Sequence, residues 1–219
     1  MMASPRENIL ERLRAAPKQV IAAPDVTEFY DQRPREDLPT RVERLVLNLG
    51  NAMAEVHRTT ANALPDALAK LIQDKSFQRV AVGNEVLECQ ALCDGLQRVC
   101  ALHPVQTAHS EQTALFNEVD AGLTLSTAAI AETGTVVLTS SPSAPRLLSL
   151  VPPVHIVIVD AKRVYDTLFD LMHQESWSQG MPTNVILVSS PSKTADIQQV
   201  LAYGAHGPKQ LIVMLVEDR

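Results

Sequence analysis

Several stretches of this chain hold residue types suited to chemistry. Ala131-Glu132-Thr133-Gly134-Thr135 sets a carboxylate beside a glycine turn, between two strand-like runs. Ligands of open α/β sheets gather outside strand carboxyl ends. Glu132 there has the chemistry of a base, a nucleophile or a cation partner, with Thr133, Gly134 and Thr135 on the same wall. The structural alternative is a turn that needs Gly134 for its backbone, with Glu132 solvated or bonded to nearby amides. Ser189 to Asp196 (SSPSKTAD) reads as a strand-to-helix junction. Ser192 or Thr194 would cap the helix, Lys193 adds a cation, and Asp196 falls in the first turn. A helix start with unpaired N–H groups and a nearby cation suits a carboxylate or a phosphate; simple capping is the plainer reading. It is no Walker loop, because the glycines and the Gly-Lys-Ser/Thr ending are absent.

Gly204-Ala205-His206-Gly207-Pro208 ends that expected helix, with Gly204 fitting the left-handed position after its last turn. His206 has little steric cover there, so its imidazole can face a cleft or stabilise the helix end. His155 follows Val151-Pro152-Pro153 and opens an apolar run; it is either catalytic or a histidine satisfied by backbone at a strand start. His57-Arg58 end another strand, and His103 and His109 lack metal-ligand spacing. Cys89, Cys93 and Cys100 form no C-x-x-C pair and no four-cysteine set, so they read as buried small hydrophobes, and no metal ligands are expected. G-x-G-x-x-G and G-x-S-x-G are also missing, which removes the main supports for a dinucleotide fingerprint or a serine hydrolase.

The elements that must position these residues alternate. Pro5 to about Ala16 predicts a short amphipathic helix capped by Ser4, with Ile9, Leu10 and Leu13 on one face. Residues 17–39, with Pro17, Pro24, Pro34 and Pro39, predict an extended arm. A capping box over Thr40–Glu43 opens a second helix. Strands are expected at 54–59, 79–82, 98–102, 121–125, 135–139, 155–160, 185–189 and 211–216, the 185–189 strand buried. Further helices are expected at 64–75, 86–96, 164–172 and 194–203, and 140–153 reads as a loop. Helices alternating with short buried strands predict an α/β fold: three layers, α/β/α, around a mainly parallel sheet.

Composition excludes more than it suggests. The 219 residues are 46% apolar and 20% charged, with a formal net charge of −6. That size supports one large core. The acidic balance argues against a nucleic-acid binder. No run approaches the ~20 apolar residues of a membrane span, and Met1 to Arg14 lacks a signal-peptide apolar region. The expected location is cytoplasmic.

Three motifs in order carry a resemblance: AETGTVVLTS (131–140), LLSLVPPVHIVIV (147–159) and PSKTADIQQVLAYGAHGPKQLIVMLV (191–216). They resemble the LUD domain, and the chain is similar to the lactate utilization protein C family. Ser190 stands where that family commonly has glycine, and Ala205 where it has valine. The resemblance implies residues 1–39 as an N-terminal helix and Pro-rich arm, and 40–219 as the LUD domain. It implies a fold shared with sugar-phosphate isomerases, CoA transferases and a folate cyclo-ligase. It also implies a component of L-lactate utilization, supporting oxidation of L-lactate to pyruvate beside iron–sulfur partner proteins. The clusters would sit in those partners, with no cofactor in this chain. One pocket is expected: Glu132, Thr133, Gly134 and Thr135 on one wall, Ser190, Ser192, Lys193, Thr194 and Asp196 at the anion end, Gly204 and Gly207 beside it, and His206 and His155 near the rim. A small carboxylate or phosphate is the expected ligand. The alternative is an enzyme or binding protein for a CoA thioester, folate or sugar phosphate, with Glu132 as nucleophile or base; its turn resembles the nucleophile turn of CoA transferases.

Overall fold

The structure is a computed structural model that describes residues 5–16, 25–105, 115, 117–195, 201–204 and 206–218. Ser4, Pro17, Pro24, His109, Asp196 and Ala205 lie outside the described residues. The chain forms two compact units, Met1–Pro34 and Arg35–Arg219. In the first, α1 (Pro5–Ala15) forms where expected, yet Ile9 and Leu13 stay exposed. The expected arm contains a short helix, α2 (Thr27–Asp31), on which the Phe29 ring meets that of Tyr30 edge-on.

The second unit runs α3 (Leu38–Asn51), β1 (Glu55–Thr59), α4 (Leu64–Asp74), β2 (Arg79–Val82), α5 (Asn84–Leu87), α6 (Gln90–Gln97) and β3 (Ala101–Pro104). It continues through β4 (Ala121–Leu125), β5 (Ala128–Ile130), β6 (Thr135–Thr139), α7 (Leu147–Leu150), β7 (Val154–Asp160), β8 (Val164–Tyr165) and α8 (Leu168–Gln174). β9 (Val185–Val188), β10 (Lys193–Ala195), β11 (Leu201–Tyr203) and β12 (Gln210–Val216) complete it.

Six strands form a parallel sheet in the order β1-β12-β7-β4-β2-β3. Strand side chains alternate between faces, so each central strand feeds two cores. Ile156, Ile158, Ile212 and Met214 pack under α4, α5 and α6 with Leu68, Ile72 and Leu96. Val157, Val159, Leu211, Val213 and Leu215 face the other way, against Val42, Leu45 and Leu49 of α3 and against Ala129, Val136 and Leu138 of a second sheet. That sheet has the order β8-β5-β6-β9, with α8 packed behind it through Leu171. The result is the expected three-layer α/β fold, with a small mixed sheet built into one outer layer.

Local physics explains the departures from expectation. α3 starts two residues before Thr40 because the Asp37 carboxylate caps it, accepting from the Thr40 N–H at 2.9 Å, and Pro39 suits the first turn. The helix expected over 86–96 breaks at Cys89, whose backbone is extended; the Cys93 thiol donates to the Val86 and Leu87 carbonyls across the break. α6 then runs on to Gln97, which moves β3 to 101–104. Residues 164–172 divide into β8 and α8, because Thr167 and Asp170 form a reciprocal capping box that starts the helix at Leu168. β9 is an edge strand rather than a buried one, and Leu187 is 50% exposed. The segment read as one loop over 140–153 carries α7, clamped to the sheet where a Gly122 side chain would lie: an added Cβ would stand 2.2 Å from the Leu148 carbonyl oxygen.

The largest difference lies in the described residues of 194–203, a stretch whose spacing predicts a helix. Lys193–Ala195 and Leu201–Tyr203 are antiparallel strands instead. The backbone of Ser192 explains it: its N–H donates to the Pro208 carbonyl and its carbonyl accepts from the Gly204 N–H, each at 2.8 Å. Bonded on both sides to the 204–208 segment, the chain enters Lys193 extended. No helix start exists at Ser192–Thr194. Gly204 does adopt a left-handed φ of +77°, but it follows a strand.

Candidate functional site

A cavity of about 450 Å³ opens beside the amino ends of β7 and β12 and the carboxyl end of β9. The expectation of a pocket outside strand carboxyl ends holds only for β9. His155 and Leu211, the second residues of β7 and β12, form its inner wall, and Ile186, Leu187 and Val188 of β9 form a side. Ser189, Ser190, Pro191, Ser192 and Lys193 continue that side, Ser149 and Leu150 of α7 close another, and His206, Gly207 and Pro208 complete the rim. The rim is pinned to the wall because the Lys209 N–H donates to the Pro153 carbonyl at 2.7 Å.

Six expected site residues therefore surround one cavity: His155, Ser190, Ser192, Lys193, His206 and Gly207. Thr133 and Thr135 are tied to its wall by a row of hydroxyls. Thr133 Oγ1 lies 2.7 Å from Thr135 Oγ1, which lies 2.7 Å from Ser189 Oγ. Glu132 and Gly134 do not line the cavity. The Asn48 amide donates to the Ala131 and Glu132 carbonyls, and the Glu132 N–H donates to the Asp166 carbonyl. Gly134, with φ +61°, lies so close to α3 that an added Cβ would stand 2.6 Å from Asn48 Cβ. The Glu132 turn is thus seated on α3, whose Arg44 pairs with Glu36 and Asp166. Thr194 lies in β10, and Asp196 is outside the described residues.

The chemistry centres on His155, which is 1% exposed on a strand otherwise apolar except at Asp160. Its Nε2 lies 2.8 Å from Thr124 Oγ1 of the neighbouring strand, and its Nδ1 is buried without a partner. Burial pushes its pKa down to about 4, so the ring is uncharged at neutral pH and offers one donor and one acceptor. Around it stand the hydroxyls of Ser149, Ser189, Ser190 and Ser192 and the Lys193 ammonium; no described lining residue is a carboxylate. The Ser149 and Ser190 hydroxyls donate to the Arg146 and Pro191 carbonyls, so the Lys193 ammonium and the Ser192 hydroxyl are the rim groups that suit an anion, beside an apolar floor and a neutral imidazole deep in the wall.

Neither Thr124 nor Ser149 is among the expected site residues. Each is a hydroxyl inside an apolar run, AGLTL and LLSL, and that lone polar position is the signal for them. Among the described residues no group of three His, Cys, Asp or Glu could hold a metal ion, and no helix is long and apolar enough to cross a membrane.

Residues 42–216 match the LUD domain family model. An uncharacterized protein of Neisseria meningitidis serogroup B is 34% identical over 97% of this chain and 94% of its own length. The lactate utilization protein C of Exiguobacterium is 27% identical, covering 97% of this chain and 96% of that protein. Lactate utilization protein C 1 of Bacillus mycoides is 30% identical over 75% of this chain and 74% of that protein. A crystal structure of a DUF162 family protein from Deinococcus radiodurans shares the fold, with TM-score 0.62 and 22% identity over 83% of this chain and 99% of that one. With the motifs at 131–140, 147–159 and 191–216 all inside the matched span, this chain belongs to the LUD domain family and to its lactate utilization protein C relatives.

Proposed function

We propose that this protein serves lactate utilization by binding a small hydroxycarboxylate, such as L-lactate, in the His155 cavity. It acts as a non-redox component beside iron–sulfur proteins that oxidise L-lactate to pyruvate. The cavity lining carries the reading: Lys193 and the Ser192 hydroxyl, with no described carboxylate, would receive the anionic end, and a ligand hydroxyl would satisfy the buried, unpartnered Nδ1 of His155 in the wall. Relatives named lactate utilization protein C support the pathway. Calorimetric titration with L-lactate tests the site: binding that weakens at least tenfold in Lys193→Ala supports it, and no heat at millimolar lactate overturns it. Co-purification from cells grown on L-lactate, with cluster absorbance and lactate oxidation assayed on the complex, tests the partnership.

A second reading follows from size. A cavity of about 450 Å³ falls in the range of drug-sized ligands, well beyond one lactate molecule. A sugar phosphate or the acyl end of a thioester would fill it. Glu132 would take no nucleophilic part there, because it does not line the cavity. Titration with a phosphorylated sugar and an acyl-CoA beside lactate separates the two readings.

A further inference from the structure

Beside Thr124, the hydrogen-bond partner of His155, the structure holds a second, much smaller cavity of about 10 Å³. It shares Ser149 and Ile186 with the large cavity and is walled by Thr124, Glu85, Ser140 and Arg146. Its volume matches about one water molecule, and polar walls of this kind supply a water with the partners it needs. Thr124 therefore stands between the two spaces, its hydroxyl 2.8 Å from His155 Nε2 on one side and its residue lining the Glu85 cavity on the other. Glu85 is held there by the N–H of Leu125, the residue after Thr124, which donates to Glu85 Oε1 at 3.0 Å. Burial raises the carboxyl pKa of Glu85, with Glu88 adding to the rise.

We propose that Glu85, a water in the small cavity, Thr124 and His155 form a hydrogen-bonded relay in which the protonation of Glu85 sets which ring nitrogen of His155 carries the proton. With Glu85 ionised, the water donates to the carboxylate, Thr124 donates to the water, and His155 Nε2–H donates to Thr124. Nδ1 then presents a lone pair to the large cavity. When a proton enters at Nδ1, the Nε2 proton passes to Thr124 Oγ1, the Thr124 proton to the water, and a water proton to Glu85. Histidine, threonine and water stay neutral, Glu85 ends as the acid, and Nδ1 now presents an N–H. Among the described residues, the other charged or titratable groups facing these two cavities are Arg146, on the small one, and Lys193 and His206, on the large one; Glu88 follows on the helix turn that carries Glu85.

The consequence for ligands rests on the reading proposed above. A lone pair at Nδ1 favours a hydroxyl, as in a 2-hydroxy acid; an N–H there favours an oxo group, as in a 2-oxo acid. Glu85 is thus a specificity-determining residue that acts through Thr124 and His155.

Long-range proton–nitrogen NMR on the ligand-free chain, labelled at histidine nitrogen, tests the relay directly. His155 is assigned by the signal lost in His155→Gln. Above a pH of about 5 burial keeps His155 uncharged, so its spectrum reports the tautomer. The expected result is a change from Nδ1–H to Nε2–H as pH rises through the Glu85 titration, absent in Glu85→Gln, which still has an oxygen for the Leu125 N–H. Thr124→Ser keeps the change and Thr124→Val abolishes it. One tautomer across the range in the unaltered protein, or a change that survives in Glu85→Gln or in Thr124→Val, overturns the relay. In parallel, the ratio of L-lactate to pyruvate affinity should rise at least threefold across the same pH interval, and stay flat in Glu85→Gln. If neither anion binds, the lactate reading falls while the tautomer measurement still decides the relay.

Discussion

His155 is one side chain with two measurable consequences, one of them for stability. Its folded pKa of about 4 lies below the ordinary value of 6.5. The unfolded chain therefore takes up a proton first as pH falls, and the stabilisation present above pH 6.5 is lost progressively down to about pH 4. The difference corresponds to roughly 3 kcal/mol. Urea denaturation at pH values across that interval should show a loss of this order, and His155→Gln should flatten the profile. An equally steep profile in the variant would sink the assignment. At this scale the sequence was legible where a residue type was unusual for its place. His155 before an apolar run, Lys193 among serines and His206 among glycines all drew notice, and all reach one cavity. For Thr124 the signal is weak, a lone hydroxyl in an apolar run where threonine is also common; only the neighbouring strand shows what that hydroxyl touches. Glu132 drew notice for its turn, and the turn is indeed special, but the partner that makes it so is Asn48 of α3, 84 residues away.

Elements made of local signals are legible in the sequence. β2, β4 and β6 have the limits that their apolar runs predict, and α4 follows its leucine spacing. The 194–203 segment has helical spacing, but Lys193–Ala195 and Leu201–Tyr203 are strands, since Ser192 is committed on both sides to Gly204 and Pro208, and pairing between segments overrides propensity. Two substitutions test what holds elements in place. Gly122→Ala would drive a methyl group into the Leu148 carbonyl and to within 2.9 Å of Pro152 Cγ. A loss of about 1–3 kcal/mol is expected, together with faster amide exchange across 147–151; unchanged exchange would show that α7 does not depend on this contact. Thr167→Ala removes the hydroxyl that caps α8 and should cost about 1 kcal/mol, read as a lower denaturation midpoint, with little effect on the His155 cavity, which Thr167 does not line.

For the Arg35–Arg219 unit as a whole, β7 and β12 decide cooperativity. Their alternating side chains belong to both cores: Ile212 faces α4–α6 and Val213 faces α3 and the second sheet, each fully buried. Neither core can open without exposing the shared strands, so this unit should unfold in one transition. Ile212→Ala should cost about 2–5 kcal/mol, and Val213→Ala somewhat less. Far-UV circular dichroism and Trp177 fluorescence, with Trp177 set against the second sheet, should shift together in both variants. Separated transitions would show that the two faces fold independently. This scale was the most legible in outline, because the alternation of helices and apolar runs dictates a layered α/β fold. The strand order was not legible, since no local signal says which apolar run sits beside which.

That strand order has a consequence for the birth of the protein. β12 follows every other strand described here, yet it lies inside the sheet, between β1 and β7. During synthesis β1 leaves the ribosome early and finds no neighbour, because the strand that seats it has not been made. Its partly apolar edge, together with α3, must wait while β2, β4 and β7 assemble. Long-range parallel pairings of this kind form slowly, and unpaired strand edges invite association with other chains. The nascent chain is thus at its most vulnerable just before β12 emerges, and a holding chaperone would engage it in that interval.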